Sequence, residues 1–225
     1  MLDAYVLCRS PERALRLKRY QDFPGIRFSY FEGYDSYYRF IHDALEEADS
    51  DQVLVLHDDV WLGRQFEASV RDLIVELDRD YPNWGVAGNA GVRVDDGRVY
   101  RFVKDPHGGS QGAYSPKPVL AVDGNLLLIN RKNFRASQVD YPDLGGFHGY
   151  DLVLGLECLA AGLTVLADPR LMVFHESGGS QQPFDDFVSG EVFRDYLTRR
   201  FINHSVFSLN GLVDVSGEAD FGYLD

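Results

Sequence analysis

Cysteine and long apolar segments are scarce in this chain. Only Cys8 and Cys158 occur among its 225 residues, and they form neither a CxxC pair nor part of a His-rich cluster. This argues against a disulfide framework or a thiolate zinc site and predicts two buried apolar cysteines. No apolar run approaches the roughly 20 residues that cross a bilayer. Residues 1–9 also lack the basic start and apolar stretch of a signal peptide, so we expect a cytoplasmic protein without a transmembrane segment.

Basic residues are also fewer than acidic ones. The chain has 22 basic and 35 acidic residues, which gives a formal net charge of -13. A field of this sign repels nucleic acid, and we expect no nucleic-acid partner. It would also repel a small anionic ligand such as a nucleotide diphosphate, unless a divalent cation bridges the two.

Large apolar residues are plentiful, with 15 Phe and 13 Tyr. Short apolar runs alternate with segments of helical period, which predicts an α/β fold with a mostly parallel central sheet flanked by helices. The predicted strands cover residues 4–8, 26–31, 52–56, 84–87, 119–130 with an interruption at Asp123-Gly124, 164–167 and 171–174. The predicted helices cover residues 10–22, 36–48, 66–77, 151–162 and, as one helix, 187–201. Residues 89–118 predict a hairpin followed by a long loop, which is a candidate lid.

The sharpest change of polarity follows the predicted strand at residues 52–56. His57-Asp58-Asp59 comes directly after it, and a helical stripe begins soon afterwards at Phe66. The triplet is therefore expected at the carboxyl end of a central strand, where open α/β sheets bind ligands. Adjacent carboxylates there offer hard oxygen ligands to Mg²⁺ or Mn²⁺. A polar loop, or a helix N-terminus whose Asp suits the helix dipole, is the competing interpretation.

Asp151 begins a predicted helix after the loop Gly145-Gly146-Phe147-His148-Gly149. A carboxylate in this position can act as general base on a hydroxyl held in an adjacent pocket. Simple N-capping explains it equally well, because Asp is among the best cap residues. The nearby aromatic residues Tyr141, Phe147 and Tyr150 suit either a sugar-stacking surface or the core.

His175 ends a predicted strand and precedes Glu176-Ser177-Gly178-Gly179. Its imidazole can complete a metal shell begun by Asp59, or it can form an ordinary structural hydrogen bond. The amides of the two glycines can approach phosphate oxygens, although Gly-Gly is as readily a turn. The sequence shows no metal-ligand spacing among His57, His107, His148 and His204.

Taken in order, these motifs resemble those of the GT-A fold nucleotide-sugar glycosyltransferases, in particular inverting family 2. Residues 53–61, VLVLHDDVW, are similar to the acidic DxD-type motif of that family with His in the first place. Residues 122–129, VDGNLLLI, are similar to its small-residue turn and acceptor-side strand. Tyr150-Asp151 resembles the Glu-Asp pair that opens a helix ending in Gly, and residues 173–175 resemble a strand ending in His. The likeness covers roughly residues 3–200.

The resemblance implies a role for each matched residue. It makes Asp59 the direct metal ligand, His175 a further ligand, and Asp151 the base that deprotonates the acceptor. Asp58 would act on water or ribose. The implied residues of the nucleotide-sugar pocket are Arg9, Glu32, Asp35, Asp58, Asp123 and Gly124. His57 and Tyr150, which replace acidic residues, depart from the family pattern.

The resemblance also implies a reaction and a domain plan. A sugar would pass from a nucleotide diphosphate sugar to a hydroxyl of a glycan, lipid-linked or small-molecule acceptor, with inversion and with Mn²⁺ or Mg²⁺. A single GT-A-like (Rossmann-like) domain would cover residues 1–225, with a nucleotide-sugar half to about residue 122. The acceptor half, with a C-terminal helix, would cover about residues 123–205.

Two alternatives to this function stay open. A catalytically degenerate relative would bind a nucleotide sugar or a glycan as an accessory protein, without transfer. A sugar-phosphate nucleotidyltransferase would share the acidic metal site but would need a glycine-rich basic loop near the first strand, and residues 8–13 lack the glycines.

Overall fold

The computed structural model describes residues 1–93, 97–104, 115–176, 182–201, 206–208 and 211–213. The strands are β1 (Leu2–Leu7), β2 (Ile26–Phe31), β3 (Gln52–His57), β4 (Val60–Leu62), β5 (Trp84–Gly88), β6 (Ala90–Val92), β7 (Val99–Arg101), β8 (Val103–Lys104), β9 (Lys117–Pro118), β10 (Ala121–Val122), β11 (Leu126–Asn130), β12 (Thr164–Ala167), β13 (Val173–His175), β14 (Val206–Ser208) and β15 (Gly211–Val213). The α-helices are α1 (Pro11–Tyr20), α2 (Tyr37–Glu47), α3 (Phe66–Asp80), α4 (Arg131–Ala136), α5 (Tyr150–Ala160), α6 (Gln182–Ser189) and α7 (Glu191–Arg200).

The central sheet has seven strands in the order β2-β1-β3-β11-β5-β12-β9. β1 is parallel to both β2 and β3, and β5 is parallel to β12. β11 runs antiparallel between β3 and β5, and β9 is antiparallel at the edge. The predicted α/β fold with a mostly parallel central sheet is confirmed.

The sheet is covered on both faces, as the nearly continuous apolar strands require. Successive side chains of a strand point to opposite faces. Val53 and Val55 accordingly join one hydrophobic cluster with residues of α2 and α5, whereas Leu54 and Leu56 join the other with residues of α1 and α3. Full burial of each such side chain contributes about 1.5–3 kcal/mol, so the β3 run anchors the strand from which the acidic triplet emerges.

Two of the predicted helices begin where capping residues place them. The Ser10 hydroxyl accepts from the Arg13 N–H, with Pro11 in the first turn, and the Ser36 hydroxyl accepts from the Arg39 N–H. α3 and α5 have no side-chain cap, and the N-cap of α5 is Gly149, so the interpretation of Asp151 as the N-cap residue is wrong. The prediction of one helix over 187–201 is wrong, because α6 and α7 are separate helices that meet at Gly190. Helices α6 and α7 each have an apolar face of helical period, so the sequence pattern does not reveal the break between them.

Two other predictions concern the strand at residues 171–174 and the hairpin after residue 89. The strand expected at 171–174 starts at Val173, because residues 169–171 form a 3-10 helix whose Arg170 N–H is capped by Asp168. The hairpin predicted after residue 89 is confirmed by the antiparallel pairing of β6 and β7. The proposed lid falls on residues 105–114, which lie outside the described residues. Within the part of the chain that is described, no helix combines the length and apolar character needed to cross a membrane.

Candidate metal centre and adjoining cavity

His57, Asp59 and His175 come together at one end of the central sheet. β3 ends at His57, and Asp59 follows immediately before β4. β13 pairs with β4 so that His175 lies opposite Val60, and the Glu176 N–H donates to the Asp59 carbonyl at 2.9 Å. This small antiparallel pairing brings His175 to the acidic turn from a distant part of the chain.

The three side chains are close enough to share an ion. Their ligand-type atoms lie within 4.8 Å of one another. Asp59 Oδ1 is 3.2 Å from His175 Nε2 and 3.9 Å from His57 Nδ1. Two imidazole nitrogens and one carboxylate oxygen form a donor set that fits a divalent transition metal after small side-chain adjustments.

Arg9 holds the other carboxylate oxygens of the triplet. Its Nε donates to Asp58 Oδ1 at 2.8 Å, and its Nη2 donates to Asp59 Oδ2 at 2.8 Å. Its backbone N–H donates to Asp58 Oδ2 at 2.8 Å. Both aspartates are buried, whereas 60% of the Arg9 side chain is exposed. Because Arg9 occupies Oδ2 of Asp59, Oδ1 is the oxygen that faces the imidazoles.

The electrostatic environment keeps Asp59 ionised. Burial acts to raise its pKa, but the contact with His175 and the charges of His57, His175 and Arg9 hold the pKa well below its ordinary value. Burial lowers the pKa of His57, although Asp59 and Asp123 oppose this shift. A neutral imidazole beside an ionised carboxylate is the state that metal coordination requires.

Asp151 lies in a different environment, at the first turn of α5. Its Oδ2 accepts from the Gly124 N–H and its Oδ1 from the Leu152 N–H, each at 2.9 Å. Burial and the nearby carboxylate of Asp123 outweigh these bonds and raise the pKa of Asp151 to about 6. Asp123 also caps its own turn, because its Oδ1 accepts from the Asn125 N–H. A carboxyl with this pKa is suited to exchange a proton near neutral pH.

A cavity of about 710 Å³ adjoins the cluster. Its lining residues are Leu7, Cys8, Arg9, Gly33, Tyr34, Tyr37, His57, Asp58, Asp59, Phe147, His148 and His175. Four of the sequence-predicted site residues, Arg9, Asp58, Asp59 and His175, therefore share one cavity. Cys8 also reaches it, and burial raises the pKa of that thiol to about 12, so it stays protonated.

The other sequence-predicted site residues lie outside this lining. Glu32 and Asp35 are exposed on either side of Gly33 and Tyr34, which do line the cavity, and Asp35 pairs with Arg39 at 3.3 Å. Asp123, Gly124 and Asp151 do not line the cavity. The Gly124 N–H donates to Asp151, whereas Asp123 accepts from the Asn125 N–H. Gly178 and Gly179 are outside the described residues.

Sequence reasoning missed His57 as a member of the cluster. The spacing among histidines carried no signal, since the partners of His57 are Asp59, His175 and Tyr150. The aromatic residues divide between the two suggested roles: Tyr141 and Tyr150 are buried in the core, while Phe147 is 47% exposed and lines the cavity. Both cysteines are buried, as predicted.

Comparison with known proteins agrees with this architecture. No protein-family model matches the chain, and no curated protein sequence does. The structure is similar to a crystal structure of GalNAc-T7 with UDP, GalNAc and Mn²⁺, with a TM-score of 0.53 and 12% identity, over 88% of this chain and 47% of that chain. It is also similar, at a TM-score of 0.45 and 11% identity, to A197 from STIV, over 79% of this chain and 95% of that chain.

The sheet topology and the likeness to the GalNAc-T7 structure define a GT-A-like α/β fold. The chain spans about half of the length of the GalNAc-T7 chain, and an identity of 12% shows the fold alone. The narrower assignment to inverting family 2 stays a prediction.

Proposed function

We propose that this protein is a divalent-metal-dependent glycosyltransferase that moves a sugar from a nucleotide diphosphate sugar to a hydroxyl acceptor. The observation that carries the proposal is the convergence of His57, Asp59 and His175 on a cavity of about 710 Å³ in a GT-A-like fold. The similar GalNAc-T7 structure contains UDP, GalNAc and Mn²⁺, so ligands of that class are the first to test. The domain halves that meet near residue 122 and the cytoplasmic location stay predictions.

His57, Asp59 and His175 would hold the metal ion. Mg²⁺ prefers a shell of oxygen atoms, whereas imidazole suits transition metals. We therefore expect Mn²⁺ to bind more tightly than Mg²⁺. When bound, the ion would neutralise charge on the diphosphate as the nucleotide leaves. It would also remove the repulsion between that diphosphate and a chain of net charge -13.

The remaining cavity wall would hold the donor. The exposed guanidinium of Arg9 can reach a phosphate oxygen while keeping its fork on Asp58 and Asp59. Phe147 and Tyr34 present ring surfaces against which a base or a sugar ring can pack. Asp58 is buried and fixed by Arg9, so its role is to orient that guanidinium.

Asp151 would act on the acceptor as general base. With a pKa of about 6, it is ionised at pH 7 and still basic enough to take a proton from a hydroxyl. The acceptor oxygen would form its bond to the anomeric carbon as the bond to the diphosphate breaks, which inverts the configuration. Asp151 does not line the cavity, so this role requires the acceptor hydroxyl to reach beyond the cavity lining to Asp151.

A thermal-shift screen of nucleoside diphosphates with and without Mn²⁺ tests the donor site. A ligand at about 100 times its dissociation constant stabilises the folded state by about 2.7 kcal/mol, which raises the melting temperature by several degrees. We expect UDP or another nucleoside diphosphate to give this shift only with Mn²⁺. The matching nucleoside, which lacks the phosphates, is the control and should give none. No shift with any nucleoside diphosphate would refute the proposal.

A binding-only accessory protein is the second candidate. The position of Asp151 outside the cavity lining favours it, because a base must reach the reacting hydroxyl. Such a protein would show the same Mn²⁺-dependent donor binding. It would release no free nucleotide when incubated with nucleotide sugars and a panel of glycan, lipid-linked and small-molecule acceptors, whereas the transferase would.

A further inference from the structure

The side chain of Tyr150 reaches the proposed metal centre from the core. Its hydroxyl is within hydrogen-bond distance of His57 Nε2, while the other ring nitrogen, Nδ1, faces Asp59 Oδ1 at 3.9 Å. A phenolic oxygen can donate to an imidazole nitrogen or accept from its N–H. When it accepts from Nε2–H, Nδ1 carries no proton and has its lone pair free for a metal ion.

Several contacts fix the position of this hydroxyl. The Tyr150 ring is buried and stacks on Tyr37, with the ring centroids 4.1 Å apart. Tyr37 Oη donates in turn to the Leu56 carbonyl at 3.2 Å, beside His57 on β3. Tyr141 Oη donates to the Tyr150 carbonyl at 3.1 Å. The ring therefore cannot turn away from His57 without disturbing the packing around it.

Gly124 leaves the space in which the hydroxyl sits. A Cβ at position 124 would collide with Oη of Tyr150, so any larger residue would push the phenol away from His57. The same glycine donates its N–H to Asp151. Gly124, which the family resemblance assigned to the nucleotide-sugar pocket, thus contacts two neighbouring residues of α5.

We propose that Tyr150 is a positioning residue, whose hydroxyl accepts from His57 Nε2–H and so selects the tautomer that presents Nδ1 to the metal ion. Partners of this kind commonly orient metal-binding histidines, although they are more often carboxylates or carbonyls. The role rests on the proposed metal centre and adds a residue that touches neither the metal nor the substrate. It also joins His57 to the helix turn that carries Asp151.

Tyr150→Phe tests this role, because it keeps the ring and its stack on Tyr37 but removes the hydroxyl. Loss of a partner that orients a metal-bound histidine typically weakens metal binding about 10–100-fold, and we expect calorimetry to show this loss for Mn²⁺. Tyr38→Phe is the matched control. Tyr38 is buried in the same aromatic group, but its hydroxyl donates to the His148 carbonyl, so its removal should leave the Mn²⁺ affinity unchanged.

The outcomes separate this role from the metal centre itself. If the wild-type protein binds Mn²⁺ and Tyr150→Phe binds it within twofold, the positioning role is refuted and the metal centre stands, even if the variant melts at a lower temperature. If the wild-type protein binds no Mn²⁺, the metal centre is refuted and the positioning role with it.

A measurement on the wild-type protein covers the case in which Tyr150→Phe does not fold. With diamagnetic Zn²⁺ as the probe, nitrogen-15 NMR of the imidazoles should show His57 with a protonated Nε2 and a metal-bound Nδ1. A His57 that binds Zn²⁺ through Nε2, or whose Nε2 lacks a proton in the complex, would overturn the proposal.

Discussion

Asp59 and Asp151 are two acidic residues of one candidate site, and they differ in the charge that surrounds them. Asp59 is buried among Arg9, His57 and His175, which hold its pKa well below the ordinary value. Asp151 has Asp123 as its charged neighbour, and burial with that like charge raises its pKa to about 6. The first environment fixes a negative charge, as a metal ligand requires, and the second permits a proton to come and go.

The difference follows from the elements on which each residue stands. Asp59 lies in the turn between β3 and β4. Arg9, between β1 and α1, supplies a guanidinium, and His175, at the end of β13, supplies an imidazole. Asp151 accepts from Gly124 in the turn before β11. The same turn carries Asp123, whose negative charge acts on Asp151. The residue is aspartate at both positions, so the difference in role comes from the tertiary arrangement around each one.

The largest effect is expected when the ionised carboxylate of Asp59 is removed. Asp59→Ala takes away the oxygen ligand between the two imidazoles, and we expect Mn²⁺ binding to weaken by more than about 100-fold, with transfer lost in parallel. Calorimetry with Mn²⁺ measures this. Asp80→Ala, at the exposed end of α3, removes the same charge elsewhere and should bind like the wild type. Unchanged Mn²⁺ affinity in Asp59→Ala would refute the role of Asp59 as a metal ligand.

Asp151→Asn should give the opposite pattern. It removes the proton acceptor but no metal ligand, so turnover should fall by about 10²–10⁴ while Mn²⁺ affinity stays at the wild-type value. Initial rates at saturating donor, together with calorimetry on the same preparation, provide both numbers. Turnover that survives the substitution would mean that another group accepts the proton, or that none is needed.

A smaller effect is expected at Arg9, which joins the two acidic residues of the triplet. Arg9→Lys keeps the positive charge but cannot form the fork on Asp58 and Asp59. We expect Mn²⁺ affinity to fall by about 10-fold because Asp59 Oδ1 is less well oriented. Arg71→Lys, which alters an exposed i,i+4 pair with Glu67, serves as the control. Equal affinity in both variants would show that Arg9 supplies charge alone.

The pH profile measures the raised pKa of Asp151 directly. Because the base acts when it is ionised, turnover at saturating Mn²⁺ should rise with pH through about 6. Asp123→Asn removes the charge that opposes ionisation, so the rise should move to lower pH. Asp22→Asn, a change to an exposed residue, should leave it in place. A profile that Asp123→Asn shifts to higher pH, or not at all, would contradict the assignment.

Strand periodicity and capping residues were sufficient to predict most of the central sheet and the helices that pack on it. The continuous apolar run of β3 predicted the strand. The abrupt change from apolar to charged residues after it drew attention to the acidic triplet. The positions of Asp59 and His175 after predicted strands made their meeting one of two possible interpretations, and the family resemblance favoured it. Their meeting depends on β4, a three-residue strand with no pattern of its own, pairing with β13. Such short pairings are set by tertiary packing.

His57 shows the same limit more clearly. A histidine at the end of a strand has no periodic partner, and its contacts with Tyr150 and Asp59 come from a helix turn and a loop that only the folded chain brings together. Tyr150 was likewise noticed as a departure from a motif. Its position against Gly124 could not be inferred from either residue alone.

Anomalous diffraction at the manganese edge, from crystals grown with Mn²⁺ and UDP, tests the central claim most directly. We expect one strong peak between His57 Nδ1, Asp59 Oδ1 and His175 Nε2, with the diphosphate of UDP beside it in the cavity. A manganese peak elsewhere, or UDP bound in the cavity with no manganese at these three side chains, would contradict this claim.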